Sequence, residues 1–362
     1  MTALPFSETL SKYPVARRFM AGFEGTVLPP WLRELLEQGL GGVAIYPRNF
    51  RNADELAALT ASIRAAANEP LLIGIDQEGG TRFSLPTPFT QWPSPAKLGA
   101  HGEASLVLEM ARAMGAELAA AGCNLDFAPM LDLHLNAASP VTQVRSYGAD
   151  PALVSRMGCA FLAGLAATGV LGCAKHFPGH GETSIDPHED LPISQNPLEK
   201  LEQTELLPFG AAIGAGVRTI MTAHILLPKI DPVHPASASR EILTYILREK
   251  MKFRGLILAD DLGMGALARR YAPGEAAVAA FAAGADIAMH CHDSAQLTHS
   301  LAATIRALRT GILSVEEWCA AGERINYILQ RIDEPKARSL DVIGCASHRA
   351  LAARIGEKIT SH

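Results

Sequence analysis

Residues 171–192 read LGCAKHFPGHGETSIDPHEDLP, and the rest of the chain is best read outward from them. The run is apolar at first, then turns polar at Lys175 and His176, and is broken by Pro178, Gly179 and Gly181. Three histidines, one lysine and four carboxylates fall within it. A short apolar strand that ends in a Gly/Pro-rich loop with many ionisable side chains is the arrangement in which parallel α/β proteins build their sites.

On either side of this segment, short apolar runs alternate with stretches of helical periodicity. The runs at 15–25, 42–46, 71–76, 124–130, 171–177, 219–225, 256–261 and 285–290 read as strands. Each is nearly continuous in apolar character, as expected where both faces of a parallel sheet are covered. Helices are expected at 31–38, 52–68, 103–122, 151–168, 197–215, 240–252, 274–283 and 294–310. Asn52 with Glu55, and Ser314 with Glu317, have capping-box spacing and mark two helix starts. Eight strands alternating with helices predict a closed (β/α)8 TIM-type barrel. Asp76, Asp126, His176, His224, Asp260 and His290 all fall at or near carboxyl-terminal strand ends, the face where barrel sites form. The expected organisation is a single barrel domain over 1–335 and a helical extension over 336–362 packed on it.

Composition narrows the function. The chain has 362 residues, 48% of them hydrophobic, enough for one large core. Net charge is −5 with both signs interspersed, so neither nucleic acid nor an anionic membrane is an expected partner. The first residues lack a basic and apolar leader pattern, and no run is long enough to span a bilayer. None of the six cysteines is spaced C-x-x-C, which suits free thiols in a reducing compartment. A cytoplasmic monomer is the expectation. No glycine fingerprint of a dinucleotide or phosphate-loop site follows an early strand, and no organic cofactor is expected.

The run Lys175-His176-Phe177-Pro178-Gly179-His180-Gly181, followed by Asp186-Pro187-His188 and Pro192, resembles the signature of family 3 glycoside hydrolases. More narrowly, it is similar to single-domain β-N-acetylhexosaminidases acting on peptidoglycan fragments. Pro187 departs from that pattern, which has serine there. The resemblance implies a retaining exo-hydrolase that removes a terminal β-linked N-acetylglucosamine from a small saccharide or muropeptide; no metal is expected, because no metal motif is present. Leu258-Ala259-Asp260-Asp261-Leu262-Gly263-Met264 resembles the family's D-D-L-x-M and implies that Asp260 is the nucleophile. Strand alternation assigns Asp261 a structural hydrogen-bonding role on the other face.

The resemblance also implies that His188 is the acid/base, oriented by Asp186. A histidine titrates near neutral pH and can both give and take a proton. Its loop, with Pro178, Gly179, Gly181 and Pro187, is expected to let His188 stand away from Asp260 without substrate and close when sugar binds. Substrate contacts are implied for Asp76 in Ile75-Asp76-Gln77-Glu78-Gly79-Gly80, for Arg145 in Arg145-Ser146-Tyr147-Gly148, and for Lys175 and His176; His224 in Met221-Thr222-Ala223-His224 is expected near the pocket, either as a substrate contact or in a structural role. The family continues G-G-R-V-x-R after the first of these. This chain has Gly80-Thr81-Arg82-Phe83-Ser84, so Arg82 is displaced and Ser84 stands where a substrate-binding arginine is expected. The exact sugar is therefore open between N-acetylglucosaminide, β-glucoside and β-xyloside.

Three other readings compete. His176, His180, His188, His224 and Asp260 resemble a metal set, but the first strand lacks the H-x-H of barrel metallohydrolases. A non-catalytic saccharide-binding barrel would lack a nucleophile or an acid. A phosphorylase of the same fold stays open, because a histidine acid/base does not repel an incoming anion as a carboxylate does.

Overall fold

The computed structural model describes residues 6–332 and 339–360. Eight parallel strands close in sequence order, β1 Phe19–Ala21, β2 Gly42–Ile45, β3 Leu72–Ile75, β4 Leu125–Asp126, β5 Leu171–Phe177, β6 Thr219–Thr222, β7 Leu256–Asp261 and β8 Ile287–His290. The barrel closes where β1 pairs with β8, Met20 opposite Met289. Side chains alternate between two apolar layers. Met20, Ala44, Leu72, Leu171, Cys173, Met221, Leu256 and Leu258 fill the barrel interior. Phe19, Val43, Ile73, Ile220 and Ile257 pack outward beneath the helices. This period-two rule sets which strand-end residues face the barrel mouth. Helix Val315–Leu329 closes the opposite end, with Ile325, Ile328 and Leu329 joined to the interior layer.

The expected strands are present but several are shorter. The 15–25 run divides, with Val15–Arg18 a 3-10 turn before β1, and only Leu125–Asp126 of the 124–130 run pair as strand. Both caps form: Asn52 accepts from the Glu55 N–H at 2.9 Å, and Ser314 from the Glu317 N–H at 3.3 Å. The expected 197–215 helix is two, Leu198–Gln203 and Leu206–Gly214, and 240–252 is wound as a π-helix over Glu241–Lys250. Three short helices escaped periodicity, Phe6–Lys12, Pro95–His101 and Gly265–Ala268, each too short to establish a period.

The expected 335/336 boundary lies outside the described residues. Beyond it, helix Ala346–Thr360 lays Ile355 into the outer layer. Buried Glu117 anchors this end, accepting from His348 Nδ1 at 2.8 Å and from the Gly344 N–H at 3.1 Å. Among the described residues no helix is long and apolar enough to cross a membrane.

Candidate active site

A cavity of about 260 Å³ opens at the carboxyl-terminal strand ends. Asp76, Lys175, His176, Met221, Asp260 and Met289 contribute to its wall. For Asp76, Lys175 and Asp260 the position follows from parity. Each continues the inward-facing set of its own strand, after Leu72, after Leu171 and Cys173, and after Leu256 and Leu258. His176 and Asp261 break parity. The β5–β6 register shifts between Ala174 and Phe177, and the β7–β8 register between Ala259 and Asp261. Such irregularities re-aim side chains, and both residues also reach the cavity. The expectation that Asp261 faces away is thereby corrected. Its oxygens are nonetheless structural: Oδ1 accepts from the Gly263 and Cys291 N–H groups, both at 3.1 Å.

Asp260 is partly exposed to the cavity and accepts the Asp261 N–H at 2.8 Å. Burial pushes its pKa up, but His224, His176, that N–H and Lys175 outweigh burial, and the group lies below the ordinary carboxylate range. It is ionised at neutral pH, as a nucleophile requires.

Residues 186–188 line the same cavity. Asp186 Oδ1 accepts from the backbone N–H of His188 at 2.9 Å and from its Nδ1 at 2.7 Å. With Nδ1–H committed to a carboxylate, Nε2 is the nitrogen left for proton transfer. Burial opposes ionisation of Asp186, yet His188 and nearby Arg82 hold its pKa below the usual value. The loop is docked, not swung out. The Ala266 N–H donates to the Pro187 carbonyl at 3.1 Å, and a Cβ on Gly265 would lie 2.5 Å from the His188 carbonyl oxygen.

Opposite lies a charged cluster. Lys175 Nζ donates to Asp76 Oδ1 at 2.7 Å and meets Glu78 Oε1 at 2.6 Å. Arg145 grips Glu78 with two bonds, Nε to Oε2 at 2.8 Å and Nη2 to Oε1 at 2.7 Å. Burial alone would raise Glu78, but these two cations bring it down to about 2. Phe83, at φ +50°, sets its ring 4.3 Å from the Arg145 guanidinium and lines the cavity. Arg82 lines it too, with Nη1 donating to the Pro140 carbonyl at 2.9 Å. The Ser84 Oγ is buried without a hydrogen-bond partner among the described residues.

His224 is placed elsewhere. It follows β6, buried, and is not among the residues of the cavity wall. Its Nε2 donates to the Asp261 carbonyl at 3.1 Å and its Nδ1 accepts from the Ser237 hydroxyl at 2.7 Å. With both nitrogens engaged it positions the β7 end, the structural of the two roles expected for it.

Sequence reasoning missed Asp132 and the pairing role of Glu78. Fully buried Asp132 accepts the His176 N–H at 3.2 Å, His176 Nδ1 at 2.7 Å and the His180 N–H at 2.7 Å. Burial works against its charge, but His176 and His180 bring it down to about 2. The available signal was a lone carboxylate in the apolar run 127–133. His180, lowered to about 4 by burial, orders the loop through Asp132 and through Thr183 at 3.2 Å.

Comparison with known proteins gives the family. The glycosyl hydrolase family 3 N-terminal domain matches residues 31–328. Beta-hexosaminidase A of Pseudoalteromonas piscicida is 32% identical over 361 residues, covering 91% of this chain; the chain spans 60% of that relative's length. Beta-hexosaminidase of Thiobacillus denitrificans is 38% identical over 266 residues, covering 72% of this chain and 74% of its own. Among solved structures, a glycoside hydrolase family 3 β-N-acetylglucosaminidase from a Paenibacillus species superposes with a TM-score of 0.92 at 36% identity, covering 98% of this chain and 69% of its own. NagZ from Neisseria gonorrhoeae, in complex with N-trifluoroacetyl-D-glucosamine, superposes at 0.78 with 30% identity, covering 94% and 98%. With the family's N-terminal domain matched across most of its length, this chain belongs to glycosyl hydrolase family 3.

Proposed function

We propose that this chain is a retaining exo-glycoside hydrolase that removes a terminal β-linked N-acetylglucosamine from peptidoglycan-derived saccharides. One observation carries the reading: the Asp260 carboxylate and the His188–Asp186 pair line a single cavity, with the Asp76–Lys175 pair in the same wall. In the first step an Asp260 oxygen bonds to the anomeric carbon. The bond to the leaving oxygen breaks as His188 Nε2–H gives it a proton. In the second, Nε2 takes a proton from water, whose oxygen displaces Asp260 from the anomeric carbon. Asp186 fixes the ring and stabilises the imidazolium. Asp76 and Lys175 bond the hydroxyls of the terminal sugar, and Arg145 holds Glu78 and Lys175 in register. Phe83 and Arg82 supply the wall that the family's two arginines supply elsewhere. The relatives named for hexosamine substrates support N-acetylglucosamine as the sugar. Cysteine usage supports the cytoplasm, and a monomer acting on a small saccharide is the proposed working form.

The test is a panel of aryl β-glycosides with anomeric NMR. The N-acetylglucosaminide is expected to turn over fastest with retention, and Asp260→Ala to lose roughly three orders of magnitude or more in kcat with the fold intact. Inversion, or near-full activity in Asp260→Ala, would overturn the mechanism. Preference for a glucoside or xyloside would overturn the substrate alone.

A further inference from the structure

A second cavity, of about 490 Å³, lies at the amino-terminal end of the barrel, away from Asp260. Arg18 and Ala285 precede β1 and β8 there, and Lys252 and Arg254 precede β7. Its wall carries six cations, Arg18, Arg240, Arg248, Lys252, Arg254 and Arg324. Three carboxylates oppose them, Glu249 and Glu317 in the wall and buried Asp286 behind it, which leaves a net charge of about +3.

The imbalance is sharpest at the base. Arg248 and Arg324 both bond the Asp286 carboxylate, the second through Nε at 2.9 Å. Arg18, 4% exposed, donates to the Asp286 carbonyl at 2.9 Å and to the Ala285 carbonyl, and lies over the Phe281 and Trp318 rings at 4.4 and 4.2 Å. Two guanidiniums therefore share the Asp286 carboxylate, and a third beside them bonds backbone carbonyls. Buried cations without matching anions are costly, and Arg18 registers this: burial lowers its pKa to about 9 against the pull of Asp286, with Arg324 and Arg248 lowering it further.

The backbone beside the cavity is also held in uncommon conformations. Residues Glu241–Lys250, which supply Arg248 and Glu249, form a π-helix, closed by the Met251 N–H on the Ile246 carbonyl at 2.9 Å. Lys252 follows at φ +62°. Conformations of this kind cost energy and cluster at functional sites.

We propose that this cavity binds the phosphate group of a small phosphorylated metabolite, with Lys252, Arg254 and Arg324 as its contacts and Arg18 and Arg248 as the positive field behind them. Guanidinium forks match phosphate oxygens in pairs. The volume falls within the roughly 300–1,000 Å³ of small-molecule sites and leaves room for more than a bare phosphate.

The test is thermal unfolding of the whole chain against inorganic phosphate and glucose 6-phosphate, with ionic strength held constant by sodium chloride. A saturable rise of the midpoint is expected. In Lys252→Gly and Arg254→Gln the apparent affinity should fall about tenfold, with aryl glycoside hydrolysis unchanged. Glycine adopts φ +62° freely, so the first variant removes the charge without adding backbone strain. A midpoint indifferent to both probes would overturn the proposal. So would an equal response in wild type and both variants, which is what phosphate entering the Asp260 cavity would give.

Discussion

Asp132 shows how a single buried side chain governs the site without lining it. One carboxylate collects three donors from the segment that also carries the His188 loop. Because His176 Nδ1–H is spent on Asp132, its Nε2 is the nitrogen available to the cavity. Removing the carboxylate leaves three donors buried without an acceptor and frees the His176 ring to turn. Asp132→Ala is therefore expected to lose about 3–5 kcal/mol of stability and to lower kcat more than it raises KM. Urea unfolding with steady-state kinetics on an aryl glycoside checks both; a variant with wild-type stability would show that the network is not what holds the loop. Asp76 and Asp260 were legible as site residues because each ends an apolar run, and Lys175 because it falls in the Lys175–Gly181 motif. The partners of Glu78 and Asp132 were not legible, because they lie on other strands and loops.

The strand ends β5 and β7 and the loop between β5 and β6 work as one device. A register irregularity at the end of each strand lets neighbouring residues face the same cavity. The loop then returns over that cavity and rests on the turn that follows Asp260. Its seat depends on Gly265, where any side chain would strike the carbonyls of His188 and Glu189. Gly265→Val is expected to lift His188 from its place while leaving Asp260 untouched. Its rate loss should be small on aryl glycosides with good leaving groups and at least about tenfold larger on poor ones, following the pattern of His188→Ala. Asp186→Ala should reproduce part of that pattern, because an unoriented imidazole is a weaker acid. A leaving-group series over the three variants reads this directly. Losses independent of the leaving group would remove His188 from the acid/base role and turn attention to Glu182 or Glu189.

At the scale of the molecule, several buried groups tie stability to pH with known sign. Burial lowers His180 and His290 to about 4 from 6.5, so the unfolded chain binds more protons between those values. Their contribution is complete above pH 6.5 and is lost as pH falls toward 4, roughly 3 kcal/mol for each over the full window. Glu78 and Asp132, brought to about 2, lose theirs as pH falls from about 4 toward 2. Asp126, raised by burial, acts in the opposite sense and loses stability as pH rises. The unfolding midpoint is expected to fall between pH 6.5 and 4, and to fall less steeply in His290→Gln. That variant can keep a hydrogen bond to Ser300, which His290 meets at 2.9 Å. The difference between the two curves isolates His290, because Asp126 is common to both; superimposable curves would contradict its buried neutral state.

The sequence by itself determined the alternation of eight apolar runs with helices, the glycine and proline breaks of the 171–192 segment, and the placement of Asp76, His176 and Asp260 at carboxyl-terminal strand ends. These are local properties, set by side-chain periodicity and by the backbone freedom of a few residues within one element. Barrel closure decided the rest. It brought Asp132 to His176 across 44 residues and Glu78 to Arg145 across 67. It also gathered six cations distant in sequence into the wall of one cavity. Hydrogen bonds and charges act through space, so their partners are fixed only when distant strands meet, and one chain's periodicity carries no record of that meeting.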